Sequence, residues 1–172
     1  WPFTGQKTEL LEGGIRVPTL LRWPARLKPQ VSEQVTITMD WLPTLLAAAG
    51  VAPDARYPPD GENILPVLEG QAPVHERTLF WRYKAQRQRA ARDGRWKYLK
   101  INDNEFLFDV ETDTLERANP RHHPPAVFAR LRQAWADWNA QFLPITDEVI
   151  THGLSPDIQA DRYAPDLATR GM

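Results

Sequence analysis

Residues 77–110 constrain the fold more than any other stretch, because four short strand-like runs alternate there with turn-forming residues. The runs are "RTLFWRY" (77–83), "QRAAR" (88–92), "RWKYLKI" (95–101) and "EFLFDV" (105–110). Most carry the aromatic and branched side chains that suit a pleated surface. Asp93-Gly94, between the second and third, is a two-residue hairpin signal, and "NDN" marks a turn before the fourth. Turns this short join antiparallel neighbours, so the stretch predicts a small antiparallel sheet. "PPAVFARLRQAWADWNAQF" (124–142) follows. Val127, Leu131, Ala134, Trp135, Trp138 and Phe142 recur there at helical spacing, with prolines at the start. That pattern predicts an amphipathic helix lying on one face of the sheet.

The first 76 residues have a different character. Residues 1–14 read as an irregular loop. "IRVPTLLRW" (15–23) is a mostly apolar run closed by Pro24, consistent with a buried strand, and a polar connection follows. In "MDWLPTLLAAAG" (39–50), Asp40 suits an N-cap, Pro43 falls in the first turn and Gly50 suits the C′ position, so a helix is predicted. Residues 51–76 are a proline-rich loop with a brief helical turn near "NILPVLEG". The boundary is placed near Glu76, and the weakly patterned residues 143–172 read as an extended tail.

Composition narrows the function classes. With 172 residues, 42% of them hydrophobic and 25% charged, the chain can bury one core or two small ones. The net charge of −1 gives no overall pull towards nucleic acid or an anionic membrane. The longest apolar stretches are too short to span a bilayer as a helix. There is no cysteine, which excludes disulfides, thiolate metal sites and a cysteine nucleophile within these residues. No compartment can be assigned. The chain opens on Trp1 in mid-motif, so it is expected to be part of a longer protein.

Lys7 is the one lysine in the first 27 residues, and it precedes the turn "EGG" (12–14). An ammonium beside a glycine turn can serve a tetrahedral oxyanion, with backbone amides adding donors. A lone lysine is more often a solvated charge, so the neighbouring blocks decide the weighing. "TGQKTELLEGGIRVPTLLRWPARL" resembles the lysine-to-strand segment of the sulfatase family, in the alkaline-phosphatase-like superfamily. "MDWLPTLLAAAGVAPDARYPPDGENILPVLEG" is similar to the family's aspartate-capped helix and the stretch after it. "RTLFWRYKAQRQRAARDGRWKYLK" resembles the hairpin that begins its C-terminal subdomain, and "EFLFDVETDTLERANP" resembles its closing turn. The four blocks lie in the family's order over residues 3–140.

The resemblance implies an α/β with α+β fold: the C-terminal end of an alkaline-phosphatase-like α/β/α domain, followed by a small antiparallel sheet with a packed C-terminal helix. Residues 1–75 would complete the α/β domain, 76–142 would form the subdomain and 143–172 the tail. It implies a sulfuric ester hydrolase acting on sulfate monoesters, with Lys7 as the matching catalytic-site residue holding sulfate oxygens. In the whole enzyme the nucleophile would be formylglycine, assisted by a divalent cation, calcium being expected. The sequence departs from the family here. It contains no Cys/Ser-x-Pro-x-Arg motif, and the cation's aspartates belong upstream. No cofactor is therefore expected within these residues, and the chain alone is expected to be inactive.

Other features weigh less. Residues 77–100 hold nine lysines and arginines against Asp93. A solvated strand face is the first reading and a rim attracting a sulfate ester the second. Lys84 and Arg87, in the loop "YKAQRQ", are the candidates for substrate contact. Nucleic acid is a distant third, and neither nucleic acid nor membrane is an expected partner. His122-His123, His75 and His152 lack metal-site spacing and read as surface histidines. "DVETDTLERANP" lacks the glycine of a calcium loop and reads as a structural turn. Glu12 and Arg16 read as structural, Arg16 in an ion pair. A related phosphonate or phosphate monoester hydrolase and a non-catalytic interaction module stay open. So does a homo-oligomer formed through an exposed apolar edge or the tail.

Overall fold

The computed structural model describes residues 2–83, 87–117, 119 and 124–145. The chain forms two compact units. One runs to Val17 and resumes at Thr78, and the other is Pro18–Arg77.

The first unit is built on a four-stranded antiparallel sheet of order β1-β2-β3-β4, with β1 Thr78–Tyr83, β2 Gln88–Asp93, β3 Trp96–Ile101 and β4 Asn104–Asp109. All four expected strands are present, within a residue or two of their predicted ends. Pairing Asp93 with Trp96 leaves Gly94 and Arg95 as the β2–β3 turn, one residue later than the Asp-Gly signal suggests. Pairing Ile101 with Asn104 leaves Asn102 and Asp103 as the next turn. The long helix α4, Pro125–Asn139, begins at the expected prolines.

Both faces of the sheet are covered. On one face Ala91, Tyr98 and Leu107 pack with Leu131 and Trp135 of α4. Phe80 stacks on Trp138 with centroids 5.3 Å apart, and the Trp135 indole N–H donates to the Trp81 carbonyl. On the other face Ala90, Leu99, Ile101 and Phe108 pack with Leu10 and Leu11 of the N-terminal segment. That segment includes the one-turn helix α1, Glu12–Ile15.

The second unit holds a 3₁₀ turn at Thr38–Asp40, then α2, Trp41–Ala48, and the short α3, Leu65–Leu68. Helix α2 ends as predicted. Gly50 takes φ +70°, Val51 N–H donates to the Leu46 carbonyl and Gly50 N–H to that of Ala47, the Schellman arrangement. Asp40 differs from its expected capping role. Its carboxylate makes no cap bond to α2. It accepts from the backbone N–H of Ile37 and of Glu62 and from the Arg77 guanidinium instead. The 3₁₀ turn before α2 makes this possible by giving Asp40 helical backbone angles, which turn its side chain away from the first N–H groups of α2.

Residues 15–23 do not form the expected strand. Past Ile15 they carry no regular structure, and Leu20 is 98% exposed. A strand needs a hydrogen-bonded neighbour, and this segment is not among the paired strands of the four-stranded sheet. Of the expected tail, residues 146–172 lie outside the described residues, as do Lys84, His122, His123 and His152.

Candidate functional site

The turn that carries Lys7 is closed from both sides. Glu9 N–H donates to the Gln6 carbonyl at 3.0 Å, and Gln6 N–H donates to the buried Glu9 carboxylate at 3.1 Å. Lys7 and Thr8 are the two central residues. Thr8 takes φ +79°, a left-handed angle at the position where a type II turn ordinarily uses glycine. A β-branched residue there is strained and persists only where its surroundings over-determine it.

Three sets of contacts do so. The first is the packing of α1 against the turn. A Cβ on Gly14 would lie 2.0 Å from the Glu9 carbonyl oxygen, and one on Gly13 2.4 Å from that of Gly5. The glycines of "EGG" are therefore required by backbone lying directly on backbone.

The second is Gln88, at the start of β2 and 1% exposed. Its amide oxygen accepts from Leu10 N–H at 2.9 Å, and its amide nitrogen donates to the Thr8 carbonyl at 3.0 Å.

The third is a buried ion cluster under α1. Lys97, fully buried on β3, places its ammonium 2.9 Å from the Glu12 carboxylate and 2.9 Å from that of Glu116. Glu12 N–H donates to the second Glu116 oxygen at 2.6 Å. Arg92 and Arg16 approach Glu12 at 3.7 and 3.8 Å. Burial pushes the Glu116 carboxyl up; the Lys97 charge, the Glu12 N–H and the bond from Lys97 oppose this without cancelling it. Thr4 donates from its hydroxyl to the Leu115 carbonyl at 2.5 Å, tying the start of the segment to the same corner.

The Lys7 side chain itself is exposed, and among the described residues nothing is hydrogen-bonded to its ammonium. A rigid backbone thus presents a free-ended cation. Gln88 also brings the two candidate stretches together, since Lys7 precedes Thr8 and Arg87 precedes Gln88. Arg87 is exposed at φ +48°. Glu12 and Arg16 hold the structural places expected of them.

The basic hairpin proves to be wired into the fold more than solvated. Arg77 pairs with Asp40, and Arg82 donates to Asn139 and the Leu143 carbonyl. Arg89 lies over Trp135, Arg92 and Lys97 reach Glu12, and Arg95 pairs with Asp109. Neither Gln88 nor Lys97 stands among the predicted site residues. Alternation along "WKYLKI" could have flagged Lys97, because it shares a face with Leu99 and Ile101.

"DVETDTLERANP" is a structural turn. Asp113 N–H donates to the Asp109 carbonyl, and the Asn119 side chain accepts from Leu107 N–H. His75 pairs with Glu62 at 2.9 Å. Among the described residues no group of three or more His, Cys, Asp or Glu side chains could hold a metal ion. The residues described do not fit a divalent-cation site.

Comparison with known proteins shows what the chain is similar to. Residues 5–136 match the family described as N-sulphoglucosamine sulphohydrolase, C-terminal. The chain is 31% identical to arylsulfatase A of Bos taurus over 157 residues, covering 86% of this chain and 30% of that protein. It is 38% identical over 97 residues to N-acetylgalactosamine-6-sulfatase of Homo sapiens, covering 56% of this chain and 18% of that one. Among solved structures, Ps i-CgsB in complex with k-i-k-neocarrahexaose superposes with a TM-score of 0.67 at 25% identity, over 80% of this chain and 32% of that one. A Bacteroides thetaiotaomicron structure, described with the metabolism of multiple glycosaminoglycans, superposes at 0.71 with 21% identity over the same shares. The chain spans about a third or less of the length of these proteins.

Proposed function

Because the chain belongs to the family of N-sulphoglucosamine sulphohydrolase C-terminal regions, we propose that the whole protein is a sulfuric ester hydrolase cleaving sulfate monoesters, and that Lys7 works in its active site. The observation that carries this is the strained, triply held turn that presents Lys7. Strain of this kind, over-determined by its surroundings, is typical of functional positions.

Lys7 would place its ammonium against the sulfuryl oxygens and offset negative charge as the ester bond to the leaving oxygen breaks. A preorganised cation contributes to the transition state without reorganisation at the moment of reaction. Arg87 and Lys84 would meet the rest of the anionic substrate from the β1–β2 loop. Residues 1–75 would complete the large α/β domain, 76–142 its C-terminal subdomain and 143–172 a tail. The exposed Val17, Leu20 and Leu21 fit a segment that meets the remainder of a longer chain.

Formylglycine and a divalent cation, calcium in this reading, would supply nucleophile and electrophile when bound. The residues described hold neither, so their part is limited to binding and orienting the anionic substrate through Lys7, its support and Arg87. On this reading the 172 residues alone turn over no ester.

The test is hydrolysis of an aryl sulfate, beside the matching phosphonate and phosphate esters, by the full-length enzyme and its Lys7→Ala variant. Loss of one preorganised donor lowers kcat by about 10²–10³-fold. The melting temperature should barely move, because Lys7 is exposed. Unchanged turnover would remove Lys7 from the site, and preference for the phosphonate or phosphate ester would replace the substrate class.

A further inference from the structure

We infer that Gln88 is a positioning residue for the hydrolysis, acting through Thr8 on Lys7. The inference rests on the reading of Lys7 given above. A lysine side chain has four rotatable bonds and no partner here, so its placement depends on where its Cα is held. That Cα belongs to a two-residue turn apex whose second member, Thr8, sits in a left-handed conformation that a threonine leaves readily.

Gln88 holds the apex where it would relax. Its amide nitrogen fixes the Thr8 carbonyl, and so the peptide plane leaving the strained residue. Its amide oxygen fixes Leu10 N–H two residues on. One planar group bridging residues 8 and 10 defines the direction of the chain between them. Gln88 can do this because it pairs with Tyr83 at the end of the β1–β2 ladder and is buried on the face that the N-terminal segment covers. Its own position is thus set by the sheet. Glutamine supplies a donor and an acceptor at one end; leucine or methionine fills the space with neither, and glutamate keeps only the acceptor.

A double-mutant cycle in the full-length enzyme separates positioning from ordinary support. Lys7→Ala, Gln88→Met and the double variant are compared by kcat on an aryl sulfate. Misplacement of a reacting group by about 1 Å costs up to about 10²-fold, so Gln88→Met is expected to lower kcat by about 10- to 100-fold. In the Lys7→Ala background the same change is expected to alter kcat by less than about twofold, because no ammonium remains to be placed. An equal loss in both backgrounds would show a general structural role and overturn the inference, as would an unchanged kcat in Gln88→Met. If Lys7→Ala alone left kcat unchanged, the Lys7 reading would fail and this inference with it. Should Gln88→Met not fold, Gln88→Glu enters the same cycle with the same two readings, since it retains the bond from Leu10 and loses the one to Thr8.

Discussion

Replacing Lys97 by methionine should unfold the corner that supports Lys7, and the size of the effect follows from the geometry. The ammonium is fully buried between two carboxylates, each 2.9 Å away and each all but inaccessible to water. Removing it leaves two buried anions facing one another, with the partly exposed Arg92 at 3.7 Å from Glu12 as the nearest remaining compensation. Breaking a buried ion pair by removing one partner costs about 3–5 kcal/mol. At about 2–4 °C per kcal/mol for a chain of this length or more, the melting transition should fall by about 6–20 °C.

The deficit should depend on pH with a definite sign. Burial already raises the Glu116 carboxyl above its ordinary 4.5, and losing Lys97 removes the strongest influence that lowers it. A group whose folded pKa lies above its unfolded value contributes stability below the unfolded value and loses it as pH rises through the folded one. The variant should therefore be least impaired below about pH 4.5 and most impaired at neutrality. Replacing the three charges together, as Lys97→Met with Glu12→Gln and Glu116→Gln, should recover much of the loss, because no carboxylate is left buried without its ammonium and Arg92 and Arg16, which lose Glu12, both reach water. Urea titrations of the full-length protein at two pH values read all of this. A loss below about 1 kcal/mol in the single variant, or a triple variant no better than the single, would refute the argument.

Two further changes probe the same logic elsewhere. Gly14→Ala drives a Cβ into the Glu9 and Gln6 carbonyl oxygens at 2.0 and 2.5 Å, and backbone cannot yield as a side chain can. It should cost about 1–3 kcal/mol by denaturant titration and lower turnover with it, and a Gly14→Ala enzyme of full stability would contradict the close approach. Asp40→Ala strands the Ile37 and Glu62 N–H groups and the Arg77 guanidinium, a loss of about 3 kcal/mol or more by the same measurement. Burial raises the Asp40 carboxyl, but bonds from Arg77, Ile37 and Glu62 together outweigh it and hold the group below 3.8. Its contribution is present above that value and disappears as pH falls through the lowered one, so the wild-type advantage over Asp40→Ala should vanish in acid.

The sheet and its helix were legible residue by residue because their signals are local. Gly94 and Asn102 fix turns within four residues of themselves, and the spacing of Leu131, Trp135 and Trp138 selects helix over any alternative. The helix end at Gly50 was legible for the same reason. Lys7 could be singled out only by likeness to the sulfatase blocks, since a solitary lysine carries no pattern of its own.

What the chain's order could not disclose is distance through space. Glu12 meets Lys97 across 85 positions and Gln88 meets Leu10 across 78, and no periodicity joins residues so far apart. Asp40 looked like a helix cap because capping is the local use of an aspartate there, yet tertiary contacts with Glu62 and Arg77 outbid it. The strand expected at 15–23 fails for a related reason: apolar composition makes a segment fit for a sheet, but only a neighbouring strand makes it one. Local sequence thus determined the four strands of the sheet, α4 and the end of α2. Packing of the N-terminal segment on the sheet decided where Lys7 is held, because burying Lys97, Glu12 and Gln88 is tolerable only where each finds its distant partner.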